Sequence, residues 1–354
     1  MILHTPDQIT LGTSEVNYHL VVISYYENRI FFNVSHSITD GAGRAPLTRT
    51  VLYYYFCNRY PDAYLDPEGI YLAGTESFVD ERSTPVTWDD VKDAEPTYFK
   101  TPGKAFNLGE KDIIKDNVQT EYRFMIDEKE FMKLNKSQDA SPSVLASALL
   151  AEMTWKLHPE IDENIVINLC MNMRPGIANK HSHLPLFTAI PLQCKPSMKD
   201  FPLDKICTSM RGMVMLQSQP ENVRYIYKRN LEAFNQLHEI PDIKTRMELT
   251  TQGLYAENGL LAVTFITSYV GRSDLGCLSP YVKAMFTTVD AIPKDGIIIE
   301  ITSADGKFYF TFMQDFSTDV YVKTFTDLIR ERGLTVSKLG SRPILAPKIE
   351  LPEF

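Results

Sequence analysis

Two runs of β-branched and aromatic residues lie within 18–35, "YHLVVISYYENRIFFNVS", separated by the polar "ENR"; the pattern predicts a β-hairpin. The next stretch, "RAPLTRTVLYYYFCNRY", puts Leu47, Val51, Tyr54 and Tyr55 at helical spacing, so an amphipathic helix is expected with those four on its apolar face. Residues 61–117 are rich in Pro, Asp and Glu without sustained periodicity and read as a long connection. "TEYRFMID" is a strand by pattern, and "SPSVLASALLAEMTWKLHP" a helix with Ser141 as N-cap and Pro142 at its first position. "NIVINLCMNMRPG" is apolar enough for an interior strand and ends on the polar Asn172 and Arg174. Helices are expected through most of 200–250, then a strand at "LLAVTFITSYVG" and a helix at "SPYVKAMFTTV". "GIIIEITSADGKFYFTFMQDF" predicts a hairpin turning at Asp305 and Gly306, and "DVYVKTFTDLIRERG" a closing helix. Strands and helices alternate, so the fold class is α/β.

Composition narrows the function. The 354 residues are 44% hydrophobic and 11% aromatic, enough for one large or two medium domains. A net charge of -9 argues against a nucleic-acid surface, which needs clustered Lys and Arg. The five cysteines, Cys57, Cys170, Cys194, Cys207 and Cys277, have no CxxC spacing and are odd in number, so thiols in a reducing, cytoplasmic compartment are expected. Neither a signal-peptide pattern nor a long apolar span points to a membrane. "HSHL" brings His181 and His183 together without a Cys or carboxylate at ligand spacing, and no metal is expected.

The chemistry concentrates in "FFNVSHSITDGAGRAP", residues 31–46, where a strand ends on His36 and gives way to Asp40, Gly41 and Gly43. An imidazole is the side chain whose ordinary pKa lets it accept a proton near neutral pH. The two glycines are expected to take backbone angles closed to other residues and to leave room for a ligand. By spacing alone a solvent-exposed turn with a chance histidine is the stronger reading of the stretch.

"HSITDG" resembles the HxxxDG signature of the acyltransferase superfamily of chloramphenicol acetyltransferase, nonribosomal peptide condensation domains, plant BAHD enzymes and alcohol acetyltransferases. Its setting between a strand and a helix, followed by "NMRPG" and "TSYVGRSDLG", is similar to the condensation-like, alcohol acetyltransferase branch. The resemblance implies two chloramphenicol-acetyltransferase-like lobes with mixed sheets: 1–117, a shortened N-terminal lobe carrying the His36 loop, and 118–354, the C-terminal lobe. It implies a tunnel between them, with His36 as general base moving an acyl group from an acyl-CoA co-substrate to a small alcohol or amine, without a covalent intermediate or resident cofactor. Asp40 would then pair with an arginine from another segment, for which Arg174 is the candidate, locking the loop bidentately.

An oxyanion donor is also needed, and Ser268 is the first candidate, with Thr267 on the opposite strand face; Asn172 is a candidate substrate contact. Ser35 stands where many condensation domains carry a second histidine, and the BAHD-type DFGWG segment is absent. Only 35 residues precede His36, fewer than the superfamily pattern calls for. Two alternatives follow: a noncatalytic, truncated condensation-like binding domain, or amide formation on a thioester held by an acyl carrier protein.

Overall fold

A computed structural model describes residues 2–4, 9–70, 72, 86–98, 103–108, 118–177, 182–256, 259–273, 275–289 and 296–344. The hairpin of 18–35 forms as β2 (Val21–Tyr26) and β3 (Arg29–Val34), with Glu27 in the left-handed region that a tight turn requires. Parallel pairing of β1 (Ile2–His4) against β2 completes a three-stranded sheet, and α1 (Gly41–Arg59) follows.

Beyond a short helix, α2 (Trp88–Val91), lies a seven-stranded mixed sheet. Its members are β4 (Thr120–Asp127), β5 (Ile165–Asn172), β6 (Phe187–Cys194), β7 (Phe265–Arg272), β8 (Ile297–Ala304), β9 (Lys307–Gln314) and β10 (Val336–Pro343). They run in the order β10-β4-β9-β8-β7-β5-β6, with the β5-β7 and β7-β8 pairs parallel and the others antiparallel. The helices are α3 (Glu128–Ser137), α4 (Pro142–Leu157), α5 (Leu203–Gln217), α6 (Pro220–His238), α7 (Ile243–Tyr255) and α8 (Val320–Glu331).

Alternation along the strands sorts the core. Ile299 and Ile301 join Phe124, Phe310, Leu145 and Phe325 in the main cluster beneath α4 and α8. Ile298, Ile266 and Met313 point the other way into a second, smaller cluster. With both faces covered, β8 is buried at every position, which is why it reads as a nearly continuous apolar run. Glu300 is the charged residue in that run.

The structure departs from pattern reading in four places. Helix α1 begins at Gly41 rather than after the glycines, because the Asp40 side chain caps it by accepting from the Gly43 amide at 2.7 Å. Its buried stripe is Thr48, Leu52 and Phe56, while Leu47, Tyr54 and Tyr55 face outward, a one-residue rotation of the expected face. Leu52 and Phe56 instead pack with Leu275 and Leu278.

The helix expected at "SPYVKAMFTTV" is a 3-10 turn over Gly276–Tyr281 followed by chain without regular secondary structure through 289. That segment crosses the second face of the large sheet, and its carbonyls serve the sheet: Lys283 accepts from the Tyr309 hydroxyl at 2.8 Å and Met285 from Thr302 at 2.5 Å. A helix would have used those carbonyls internally. Strands β1, β6 and β10 and helix α3 were not foreseen; β10 is a polar edge strand, exposed along most of its length.

Candidate active site

Asp40 and Arg174 organise the loop. The Arg174 Nη1 donates to Asp40 Oδ2 at 2.9 Å, both side chains being 6% exposed. Asp40 Oδ2 also accepts from the Leu186 amide at 2.8 Å, so the carboxylate ties α1, the 174 corner and the start of β6 together. Arg174 also donates to backbone, Nε to Ser182 O at 2.8 Å and Nη2 to Leu184 O at 2.6 Å. The contact with Asp40 is therefore through a single nitrogen and not the bidentate fork expected. The guanidinium fork is shared among three segments instead.

Asn172 turns its amide oxygen onto Arg174, accepting from the backbone N–H at 3.0 Å and from Nη1 at 3.1 Å. The structure thus brings Asp40, Arg174 and Asn172 into one hydrogen-bonded group.

His36 sits in the turn after β3 and is exposed. Its ring packs on Phe187, with centroids 4.6 Å apart and planes inclined by 40°. Leu186 and Phe187 are consecutive, so Asp40 anchors the backbone on which His36 rests. Phe187 and Leu186 were invisible to motif reading because they lie about 150 residues away, at the start of an unforeseen strand and just before it.

The glycines act through space rather than torsion. Neither Gly41 nor Gly43 is among the positive-φ glycines, which corrects the expectation of special backbone angles. Gly41 is the first helical residue. A Cβ on Gly43 would land on the His183 carbonyl oxygen and within 2.5 Å of Thr39 Oγ1. His183 is exposed, and His181 lies outside the described residues. Among the described residues no group of three or more His, Cys, Asp or Glu side chains could hold a metal ion. Nor does any described helix have the length and apolarity to cross a membrane.

Thr267 and Ser268 lie on opposite faces of β7, as alternation requires. Thr267 is buried against Ser147 of α4 at 3.1 Å. Half-buried Ser268 is paired in register with Glu300 on the neighbouring strand, which sets the two side chains beside each other on one sheet face. Burial pushes Glu300 up to about 7, with the Ser268 hydrogen bond and the nearby Arg44 charge pulling the other way. Arg44 lies four residues after Asp40 on α1 and donates to Thr287 Oγ1 at 3.3 Å; burial lowers its pKa against the opposing pull of Glu300. Sequence reading missed Glu300 and Arg44, although a lone carboxylate inside "IIIEIT" was a visible signal.

No protein-family model matches the chain, and no curated protein matches it. Solved structures do. The TRI101 protein of F. graminearum complexed with ethyl coenzyme A aligns over 90% of this chain and 69% of its own at 12% identity, with a TM-score of 0.54. The F. sporotrichioides TRI101 complexed with coenzyme A and T-2 aligns over 90% and 69% at 11% identity, TM-score 0.53. Polyketide synthase associated protein 5 from Mycobacterium tuberculosis aligns over 93% and 79% at 10% identity, TM-score 0.51. The likeness is one of fold: the chain shares the mixed α/β architecture of these solved structures.

Proposed function

We propose that the protein is an acyltransferase that moves an acyl group from acyl-CoA to an alcohol or amine, with His36 as general base. The observation that carries this reading is the buried Asp40–Arg174 pair, which fixes the loop presenting His36 on a fold shared with TRI101 proteins crystallised with coenzyme A. A buried ion pair whose remaining lone pairs and protons are satisfied gives a loop one geometry rather than many.

In this mechanism His36 takes the acceptor's proton as the acceptor oxygen or nitrogen attacks the thioester carbonyl. The carbonyl oxygen becomes an oxyanion, stabilised by the Ser268 hydroxyl. Collapse of the tetrahedral intermediate breaks the carbon–sulfur bond, and the imidazolium returns its proton to the departing thiolate. Holding both substrates at once supplies much of the rate. Acyl-CoA is a co-substrate and no resident cofactor takes part.

The test is thiol release from acetyl-CoA with a panel of alcohols and amines, comparing wild type with His36→Ala and checking both for cooperative melting. Acceptor-dependent release that disappears in a folded variant supports the reading. Release that persists in the variant overturns His36 as the base. The exposure of His36 favours a second reading, a noncatalytic domain that binds a carrier protein. A folded wild type that releases no thiol from coenzyme A or carrier-bound donors selects it. Release from carrier-bound donors with amines alone would instead select amide formation.

A further inference from the structure

We propose that Glu300 is a positioning residue that controls the direction of the Ser268 hydroxyl proton, opening the oxyanion site when protonated and closing it when ionised. The inference rests on the acyl-transfer reading and adds a regulating group to the same site.

The placement follows from strand register. Glu300 pairs with Ser268 of β7 on one side and Thr311 of β9 on the other. Its neighbours Ile299 and Ile301 belong to the core under α4, so Glu300 faces the opposite side of the sheet, where the residue is only 7% exposed. Ser268 retains partial access.

A serine hydroxyl has one proton to give and two lone pairs to receive with. Beside a carboxylate, which only accepts, Ser268 must point its proton at Glu300 and has none left for a substrate oxyanion. Beside a carboxylic acid, Glu300 donates to Ser268 Oγ and the serine proton is released to point elsewhere. The two states differ by one proton on Glu300 and no movement of the backbone.

The charged and titratable groups around Glu300 leave both states accessible. From α1 comes Arg44, which hydrogen-bonds Thr287 and acts on Glu300 through its charge. From β4, on the same sheet face, comes Arg123, already paired with Glu121 at 2.7 Å. From β5 comes the Cys170 thiol, held neutral by burial and by Glu300, with its pKa pushed up to about 12. Thr311 on β9 and Thr287 on the crossing segment carry no charge. The carboxyl group is thus buried with one partial counter-charge, and burial raises it to about 7.

Arg44 also connects this group to the histidine loop. Residues 36 to 44 reach Phe187 through His36, Arg174 through Asp40, and the surroundings of Glu300 through Arg44. Both halves of the site are therefore served from one short stretch of chain.

The experiment is the pH profile of kcat and kcat/KM for wild type, Glu300→Gln and Ser268→Ala, with acetyl-CoA and an acceptor that supports thiol release. A group titrating about 7 is roughly 3% protonated at pH 8.5, so wild-type kcat divided by that of Glu300→Gln at the same pH, a ratio from which the ionisation of the general base cancels, is expected to fall about 30-fold between pH 6 and 8.5. Glu300→Gln keeps a donor facing Ser268 Oγ at every pH and is expected to lack that alkaline fall. Ser268→Ala is expected to be slow at all pH values and also to lack it, which keeps the test valid if Glu300→Gln does not fold. An alkaline fall that survives in either folded variant, or that lies in KM alone, overturns the gating while leaving acyl transfer standing. Wild type that releases no thiol at any pH overturns the acyl-transfer reading itself, and the gating with it.

Discussion

Asp40 and Arg174 stand 134 residues apart in the chain and meet at 2.9 Å with both side chains nearly excluded from solvent. The carboxylate caps α1 and accepts from Leu186, while the guanidinium holds two further carbonyls, so the pair is a junction of three segments rather than an isolated contact. Its consequence for His36 is indirect. The imidazole packs on Phe187, the residue after the amide that Asp40 holds.

Breaking the junction from one side leaves a buried charge without its partner. Asp40→Asn is expected to cost about 3–5 kcal/mol in urea unfolding, with the release rate falling as well. Asp40→Ala also removes the α1 cap and is expected to cost a further ~1 kcal/mol. Arg174→Lys keeps the charge but cannot reach Asp40, Ser182 O and Leu184 O from one fork, so it should recover only part of the loss.

Gly43 and Gly212 make opposite predictions for the same substitution. A Cβ on Gly43 meets the His183 backbone and Thr39, so Gly43→Ala is expected to destabilise by about 1–3 kcal/mol. A Cβ on Gly212, within α5, has nothing within 4 Å, and Gly212→Ala is expected to stabilise by about 0.5–1 kcal/mol through helix propensity alone. Thermal melts of the two variants check both signs.

These contrasts show which features sequence patterns carry. The strand at Thr120–Asp127, the helix at Pro142–Leu157 capped by Ser141, and the Asp305–Gly306 hairpin were legible because periodicity and turn chemistry are local. The outward rotation of α1 was not, because Leu47, Tyr54 and Tyr55 satisfy helical spacing as well as Leu52 and Phe56 do; packing against Leu275 and Leu278 decides between them. The non-helical course of 282–289 depends on hydroxyls contributed by Tyr309 and Thr302, which local sequence cannot supply. The Asp40–Arg174 pairing was anticipated from a short motif and its resemblance, and the pair forms. Glu300 and Phe187 required strand register, a long-range property.

Glu300 also predicts how stability varies with pH. Its carboxyl group titrates about 7 in the folded protein against 4.5 for an exposed glutamate, so the native state holds the proton more tightly than the unfolded chain does. That contribution is fully present below pH 4.5 and is lost as pH rises through 7, a change on the order of 3 kcal/mol before structural relaxation. Chemical denaturation between pH 4.5 and 8 is expected to show wild type losing stability relative to Glu300→Gln as pH rises. Parallel curves would place the glutamate's native pKa near its exposed value.

Thr267 and Ser268 provide the sharpest separation of structure from chemistry, since they are adjacent and face opposite ways. Thr267 shares a buried hydrogen bond with Ser147, so Thr267→Val leaves that serine unsatisfied and is expected to cost about 1–3 kcal/mol. Its side chain points into the core beneath α4, and kcat should stay within two-fold, or about 0.4 kcal/mol, of wild type at a temperature where the variant is folded. Ser268→Ala removes a half-buried hydroxyl, with little effect on melting but a loss in kcat of about 100-fold or more if that hydroxyl holds the oxyanion. Measuring stability and kcat for both variants gives a crossed pattern under this mechanism. A Ser268→Ala enzyme with wild-type kcat would remove Ser268 from the site and leave Glu300 a buried acid with a structural role alone.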